Sequence, residues 1–211
     1  MFSGYFIALR AVSGCPTRKL RVFAIHEPSS TTWLGGLLKL TPPWLVAELS
    51  NSTLLSVVLH PKRVGKIRNK KEKILDLGSG GGFPGILLAI LKPECEIHLL
   101  EKSQKKCYFL NKTKDSLNLT NMRVLKTTIQ KSSPIGEYSL ITARAFSSAK
   151  NILEISEKNL MKEGKYLLLK GKIDKINEEL ESINTNKYKC EIIKTENEKY
   201  ERHLVEIKIN E

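Results

Sequence analysis

The stretch KILDLGSGGGFPGILLAI, residues 73–90, decides the fold. It runs from a short apolar segment through a glycine-rich segment into a second apolar segment. The chain has 13 glycines, and five of them fall within eight positions of this stretch: Gly78, Gly80, Gly81, Gly82 and Gly85. A strand, a glycine loop and a helix that begins at a proline form a βα unit whose loop lets a ligand approach the backbone closely. We therefore predict a strand at 73–77, a helix at 84–91 and a ligand at the loop between them.

The rest of the chain alternates between short apolar segments and segments with helical spacing. Further strands are predicted at 96–100, 122–126, 138–144 and 165–170, and further helices at 103–119, 147–161 and 173–183. Ser103 is the expected N-cap of the first of these helices, and Gly164 is the expected end of the second. Two last strands, 188–195 and 202–209, are predicted to pair as a hairpin. The pattern indicates an α/β, Rossmann-like fold with a mainly parallel sheet and an antiparallel hairpin at its C-terminal end.

The charge of the chain is strongly positive and unevenly distributed. The formal net charge of the 211 residues is +13, which fits a polyanionic partner such as RNA, DNA or an anionic membrane, or else a solvated lysine-rich surface. Residues 1–60 carry +3 and residues 61–211 carry +10. We predict an atypical extension over 1–60 and one α/β domain over 61–211. The extension has no acid before Glu27, which is typical of an organelle transit peptide. An ordinary extension and a wrongly assigned start are the other interpretations.

The cysteines and the apolar segments exclude several classes of protein. Cys15, Cys95, Cys107 and Cys190 form no CxxC pair and have no neighbouring histidine cluster. Neither a metal site nor a disulfide framework is therefore expected, and idle thiols are typical of a reducing cytoplasm. No apolar segment approaches the ~20 residues that span a bilayer, so no membrane partner is expected.

The acids around the glycine loop narrow the choice of ligand. The spacing G-x-G-x-x-G over 80–85, followed by Glu101, also occurs in dinucleotide-binding proteins. Asp76, two residues before Gly78, favours S-adenosylmethionine, because a carboxylate there can hold an ammonium group and has no role beside a pyrophosphate. Glu101 can accept hydrogen bonds from both ribose hydroxyls. The C-terminal hairpin is typical of a class I methyltransferase sheet, whereas a dehydrogenase would need further βαβ units.

Five segments of the chain, in order, are similar to one known family. They are ILDLGSGGGFPGILLAI, LLEKSQKKCYFLN, ITARAFSSAKNIL, LLLKGK and ERHLVEIK. The form D-x-G-x-G-x-G-x-P-G in the first segment is more specific than a general methyltransferase loop. Over residues 73–209 the segments resemble the bacterial 16S ribosomal RNA guanine-N7 methyltransferases, also called the glucose-inhibited division protein B family.

The resemblance implies a cytoplasmic enzyme, which we expect to be a monomer, that uses S-adenosylmethionine to methylate N7 of a guanine in 16S rRNA of the small ribosomal subunit. The implied cofactor-binding residues, carried over by motif, are Asp76, Gly78, Ser79, Gly80, Gly82, Phe83, Glu101, Thr128, Ile129, Gln130 and Arg144. The basic residues implied to position the RNA are Arg144, Lys170 and Arg202.

The chain departs from the family pattern in three places. Glu101 stands where the family usually has an aspartate, and its longer side chain should still reach the ribose. The tetrapeptide TTIQ, residues 127–130, stands where the family usually has an R-V-E-like tripeptide near the adenine. Gln130 replaces the acid, and its amide can still pair with adenine. Residues 1–60 do not match the helical segment with which the family begins.

Methylation of guanine N7 requires no general base, because N7 already has an in-plane lone pair. No acid–base residue is therefore assigned, and the rate would come from holding N7 in line with the sulfonium methyl group. We interpret Arg144 and Lys170 as partners of a phosphate or of guanine O6, since a contact at N7 would block the reaction.

Two alternative functions and one question about the lysines of a helix stay open. The fold could serve a methyltransferase with another substrate, or a non-catalytic RNA-binding or ribosome-assembly protein. The lysines of the helix at 103–119 and its flank form either a phosphate-contacting face or a solvated one; they are Lys102, Lys105, Lys106, Lys112 and Lys114.

Overall fold

The computed structural model describes residues 6–11, 20–25, 72–132, 134–194 and 201–210. The chain divides into two compact units, Met1–Ser52 and Thr53–Glu211. In the first unit, β1 (Phe6–Ala11) and β2 (Leu20–Ile25) pair as antiparallel strands. The sequence does not predict this pair, and the other expectations for residues 1–60 fall outside the described residues.

The second unit consists of strands that alternate with helices. Its strands are β3 (Lys73–Leu77), β4 (Glu96–Leu100), β5 (Met122–Leu125), β6 (Tyr138–Arg144), β7 (Leu160–Lys170), β8 (Tyr188–Lys194) and β9 (His203–Ile209). The helices among its described residues are α1 (Gly85–Leu91), α2 (Gln104–Ser116), α3 (Ala149–Ser156), a 3₁₀ turn (Glu157–Asn159) and α4 (Ile173–Glu181). Among the described residues, no helix has the length and apolar character that a membrane span requires.

The seven strands form one sheet in the order β5-β4-β3-β6-β7-β9-β8. The strands from β5 to β7 are mutually parallel, and β9 is antiparallel to both of its neighbours. The predicted hairpin is therefore confirmed, and its second strand lies inside the sheet. The chain order reverses at β3, with β4 on one side and β6 on the other. Ligands of open α/β sheets bind at such a reversal, outside the carboxyl ends of the strands.

One hydrophobic core, which we call the α3 core, packs α3 and α4 against one face of the sheet. Alternate residues of the central strands point into it, as the two-residue period of a strand requires, for example Leu75 and Leu77 of β3. Ile152 of α3 and Ile176 of α4 belong to the same cluster. Because these side chains are almost fully buried, the strand ends form a rigid base for the loops that follow them.

The region 147–164 differs from the prediction. The helix ends at Ser156, and β7 already begins at Leu160. Gly164 lies inside β7, where the register jumps between the pairs Tyr138–Leu160 and Leu140–Lys165. A Cβ on Gly164 would lie 2.8 Å from the Leu160 side chain. Close packing at this irregularity in strand pairing therefore favours glycine, and the prediction that Gly164 ends a helix was wrong.

Candidate active site

Adjacent strands bring two predicted site residues to the glycine loop. Leu77, the last residue of β3, pairs with Leu100 of β4 and with Ala143 of β6. One residue further along, these three strands reach the glycine loop, Glu101 and Arg144 respectively. Residues that are far apart in sequence thus meet at the carboxyl edge of the sheet, at the point where the strand order reverses.

The two other predicted basic residues lie at the same edge. β7 ends at Lys170, which pairs with His203, the first residue of β9. Arg202 directly precedes His203. The edge therefore continues from the glycine loop across three strand ends, and each of them carries a basic side chain.

The loop between β3 and α1 has a left-handed backbone at three glycines, with φ of +63° at Gly78, +54° at Gly80 and +90° at Gly82. A Cβ on Gly78 would lie 2.3 Å from Cδ2 of Phe146, so no side chain fits there. A Cβ on Gly81, in contrast, would meet no atom within 4 Å. The loop is tightly packed at its base and open at its tip.

Asp76 is fully buried beneath this loop. Its Oδ2 accepts a hydrogen bond from the N–H of Gly85 at 3.2 Å, and its main-chain carbonyl accepts one from the Ser79 hydroxyl at 2.9 Å. Its Oδ1 has no hydrogen-bond partner among the described residues. Burial raises the pKa of Asp76 to about 7, against the opposing effects of Ser79, the Gly85 N–H and the Arg144 charge. A buried oxygen without a partner is rare in proteins and indicates a place for a donor from a ligand.

Glu101 ties the glycine loop to the start of α2. Its Oε2 accepts from the N–H of Gly80 at 3.0 Å, and its Oε1 accepts from the N–H of Ser103 at 2.9 Å. Ser103 occupies the predicted N-cap position, although its own side chain forms no capping hydrogen bond. Each carboxylate oxygen retains a second lone pair, so Glu101 can still accept hydrogen bonds from a ligand's hydroxyls.

Arg144 lies over a buried aromatic ring. Its guanidinium carbon is 5.6 Å from the ring centroid of Phe83, which is only 3% exposed. The next residue, Ala145, has a left-handed backbone with φ of +51°, an uncommon conformation for alanine. Phe146 follows, 38% exposed, with its ring against Gly78. Phe146 is not among the predicted site residues. Its position two residues after Arg144, at the end of a strand, is the sequence feature that could have placed it near the loop.

Lys170 is paired within the protein. Its ammonium group donates to the carbonyl of Ser147 at 2.9 Å and to Oε2 of Glu179 at 2.7 Å. The same Glu179 oxygen accepts from the N–H of Ala149, the first residue of α3, at 2.7 Å. These contacts join the end of β7, α4 and the start of α3. The expected role of Lys170 toward RNA stays a prediction.

The remaining predicted residues differ in exposure. Arg202 is exposed, and its Nη1 donates to the carbonyl of Glu201 at 3.1 Å. Thr128 and Gln130 are also exposed, whereas the Ile129 side chain packs into the α3 core. Only the backbone of Ile129 is therefore left to face a ligand. The roles of these residues in binding stay predictions.

A family model that matches most of the chain shows the family to which the chain belongs. The model of the family described as rRNA small subunit methyltransferase G matches residues 39–205. The chain belongs to this family. The match confirms the resemblance carried by the five segments. It begins within residues 1–60, and the domain boundary at residue 60 stays a prediction.

Several curated proteins named ribosomal RNA small subunit methyltransferase G are similar to the chain. The protein from Brachyspira hyodysenteriae is 43% identical over 136 residues, which cover 64% of this chain and 66% of that protein. The protein from Borrelia garinii is 43% identical over 121 residues, 57% of each chain. The protein from Coxiella burnetii is 34% identical over 141 residues, 67% of this chain and 68% of that protein. The chain thus spans somewhat less than two thirds of the length of the first two relatives.

Solved structures share the fold at low sequence identity. A variant of MtNAS in complex with S-adenosylmethionine matches with a TM-score of 0.62 and 13% identity, over 80% of this chain and 67% of that one. A SAM-dependent methyltransferase from Aquifex aeolicus matches with a TM-score of 0.58 and 15% identity, over 79% and 98%. At these identities the similarity establishes the fold alone. The predicted class I methyltransferase fold is confirmed.

Proposed function

We propose that this chain is an S-adenosylmethionine-dependent methyltransferase that methylates N7 of a guanine in 16S rRNA of the small ribosomal subunit. One observation carries the proposal: the buried Oδ1 of Asp76, which has no partner in the described part of the chain, lies beneath a glycine loop in a member of the rRNA small subunit methyltransferase G family. The proposal includes action as a monomer, in the cytoplasm, where the ribosomal substrate is found.

The residues at the edge of the sheet fit the proposed cofactor. An ammonium group, directly or through a water molecule, would satisfy Oδ1 of Asp76 and favour the ionised carboxylate. The remaining lone pairs of Glu101 suit two ribose hydroxyls. The backbone at Gly81 leaves open space for close approach. When bound, S-adenosylmethionine supplies an electrophilic methyl group on a sulfonium sulfur.

The chain's own contribution to the reaction is positioning. Guanine N7 has its lone pair in the plane of the ring, so no residue has to remove a proton, and correct placement of the two reactants can supply about 7 kcal/mol of the barrier. Arg144 is proposed to contact guanine O6 or a phosphate. Lys170 is proposed to act as a positioning residue, because its bond to the Ser147 carbonyl fixes the loop that carries Phe146.

A methylation map of ribosomal RNA tests the proposal. N7-methylguanine is mapped in 16S rRNA from cells that lack the chain and from cells that express it again. We expect one N7-methylguanine to disappear and return. An unchanged map would exclude this reaction, and if S-adenosylmethionine still bound the chain, the map would favour the non-catalytic RNA-binding alternative.

Calorimetric titration tests the cofactor separately. We expect S-adenosylmethionine to bind and S-adenosylhomocysteine to compete with it. Asp76→Ala should weaken cofactor binding more than RNA binding, because Asp76 lies beneath the loop and is fully buried. Absence of binding heat with the unmodified chain would overturn the enzyme assignment.

A further inference from the structure

We propose that the outward face of α2 is an RNA-docking surface, on which Lys105 and Lys112 pair with phosphates of a single-stranded segment and Tyr108 stacks on an unpaired base. This inference rests on the proposed function, which makes RNA the substrate. We call these three residues the α2 stripe.

The three residues share one face of the helix. They are spaced by three and four positions, so their side chains are neighbours on the helix surface. The opposite face of α2 carries Cys107 and Leu110, which are 4% and 0% exposed and pack toward the sheet. Lys105 and Lys112 are exposed, and Tyr108 is 63% exposed, the highest value among the exposed large hydrophobic side chains of the described residues. The burial of one face thus fixes the α2 stripe toward solvent.

The charges of the α2 stripe are available to a partner. Neither Lys105 nor Lys112 has an ion pair within the described part of the chain, and Lys112 Nζ lies 5.8 Å from the ring centroid of Tyr108. Some other lysines are neutralised within the protein, since Lys165 and Lys208 both contact Glu206. The outer side of α2 carries a single acid, Asp115, at its last turn, and two further exposed lysines lie close to the stripe in the sequence: Lys102 and Lys106.

An exposed aromatic ring between two ammonium groups matches the chemistry of single-stranded RNA. Proteins that bind single strands combine a positive surface with aromatic side chains on which bases stack. An anionic membrane would require several exposed large apolar side chains, whereas the α2 stripe has one. The helix starts three residues after Glu101, so RNA lying along it would lead to the candidate active site.

Salt dependence of RNA binding tests the lysines. The full-length double variant Lys105→Gln/Lys112→Gln is compared with Lys158→Gln/Lys162→Gln, which makes the same change in net charge near the amino end of β7. Both control lysines are exposed. Binding of naked 16S rRNA and of small ribosomal subunits from cells lacking the chain is measured over a salt series. For the α2 pair we expect the slope of log affinity against log salt to fall by about 1.4 and affinity near 0.1 M salt to drop roughly tenfold or more. The control pair should leave both unchanged.

Substitution of the ring tests stacking. Tyr108→Ala should bind naked rRNA about five- to 150-fold more weakly, and Tyr108→Trp should retain affinity. The matched control is Met161→Ala, which removes a 38% exposed side chain from the start of β7 and should have no effect. All substituted side chains are exposed, so thermal unfolding midpoints should stay the same and identify any variant that fails to fold.

Four outcomes would overturn the docking surface. Equal loss in the α2 and control lysine pairs would assign the effect to overall charge. Loss for ribosomal subunits without loss for naked rRNA would assign the α2 stripe to a ribosomal protein. An equal loss of S-adenosylmethionine affinity would show that α2 acts through Glu101, and unchanged RNA affinity in the α2 variants would exclude a contact. An unmodified chain that binds rRNA but transfers no methyl group would instead overturn only the proposed function.

Discussion

Burial of the Asp76 carboxylate destabilises the folded protein when no ligand is bound. Its pKa rises from an ordinary 3.8 to about 7 because it is buried. Between about pH 4 and pH 7 the folded chain therefore binds more protons than the unfolded chain, and this residue's effect makes stability fall as pH rises. Above pH 7 the buried charge costs up to about 4 kcal/mol.

Replacement of Asp76 by the uncharged amide should therefore stabilise the free protein. We expect Asp76→Asn to raise the free energy of unfolding by about 1–3 kcal/mol at pH 8, because the removed charge outweighs the cost of an unpaired amide group. The gain should shrink toward pH 4. Urea unfolding without cofactor at pH 4, 6 and 8 measures it, with the exposed Asp115→Asn as control. A gain that is independent of pH would contradict the pKa assignment.

The same substitution should lower function. Asp76→Asn cannot offer an anionic oxygen to an ammonium group, so we expect S-adenosylmethionine to bind at least about tenfold more weakly. Calorimetry at pH 8 measures this change. Stability and cofactor affinity should thus move in opposite directions, as is common at binding sites. Unchanged affinity would mean that the cofactor's ammonium group does not bind here.

At the scale of an element, the glycine loop contains positions that are required and one that is not. A Cβ on Gly82, where φ is +90°, would lie 2.1 Å from Cδ1 of Ile86 and 3.1 Å from Leu110. We expect Gly82→Ala to lower the free energy of unfolding by about 2–4 kcal/mol. Gly81→Ala, with open space around it, should change it by about 0.5 kcal/mol or less. Similar losses in thermal unfolding for the two variants would contradict the loop geometry.

Glu179 joins three elements through one carboxylate oxygen, which accepts from Lys170 and from the N–H of Ala149. Its loss would leave the ammonium group of Lys170, whose side chain is 15% exposed, without its anion. We expect Glu179→Ala to cost about 1–3 kcal/mol and to speed hydrogen exchange at the Ala149 amide. The exposed neighbour Glu178→Ala is the control. If both variants exchange alike, Glu179 does not hold the start of α3.

At the scale of the whole molecule, the last strand completes the sheet from the inside. β9 lies between β7 and β8, and its Leu204, Val205 and Ile207 are at most 1% exposed. Loss of each such side chain costs about 2–5 kcal/mol. The combined loss is therefore comparable to the whole free energy of unfolding of a domain, which is about 5–15 kcal/mol. We expect a chain that ends at residue 200 to show no cooperative unfolding by circular dichroism, whereas one that ends at Asn210 should unfold like the full chain.

Local chemistry explains which elements the sequence predicted. The strand at 73–77 and the strand at 138–144 have the predicted bounds, because each is a short apolar run between turn residues. The helix predicted at 147–161 was too long. Helical spacing of apolar residues does not show where the chain leaves the helix and begins to pair as a strand. Gly164 was misassigned for the same reason. Irregular pairing between β6 and β7 depends on both strands, and the sequence around Gly164 alone does not show it.

The amino-acid sequence by itself determined the order of strands and helices, the glycine loop with Asp76 and Glu101, and the family, because these depend on residue types that are close together in the chain. Tertiary structure alone decided that an oxygen of Asp76 has no partner among the residues that the structure describes, that Lys170 binds Glu179, and that Phe146 lies against Gly78. Those facts arise from contacts between segments distant in sequence, and burial and hydrogen bonding take their values only when the sheet has brought the segments together.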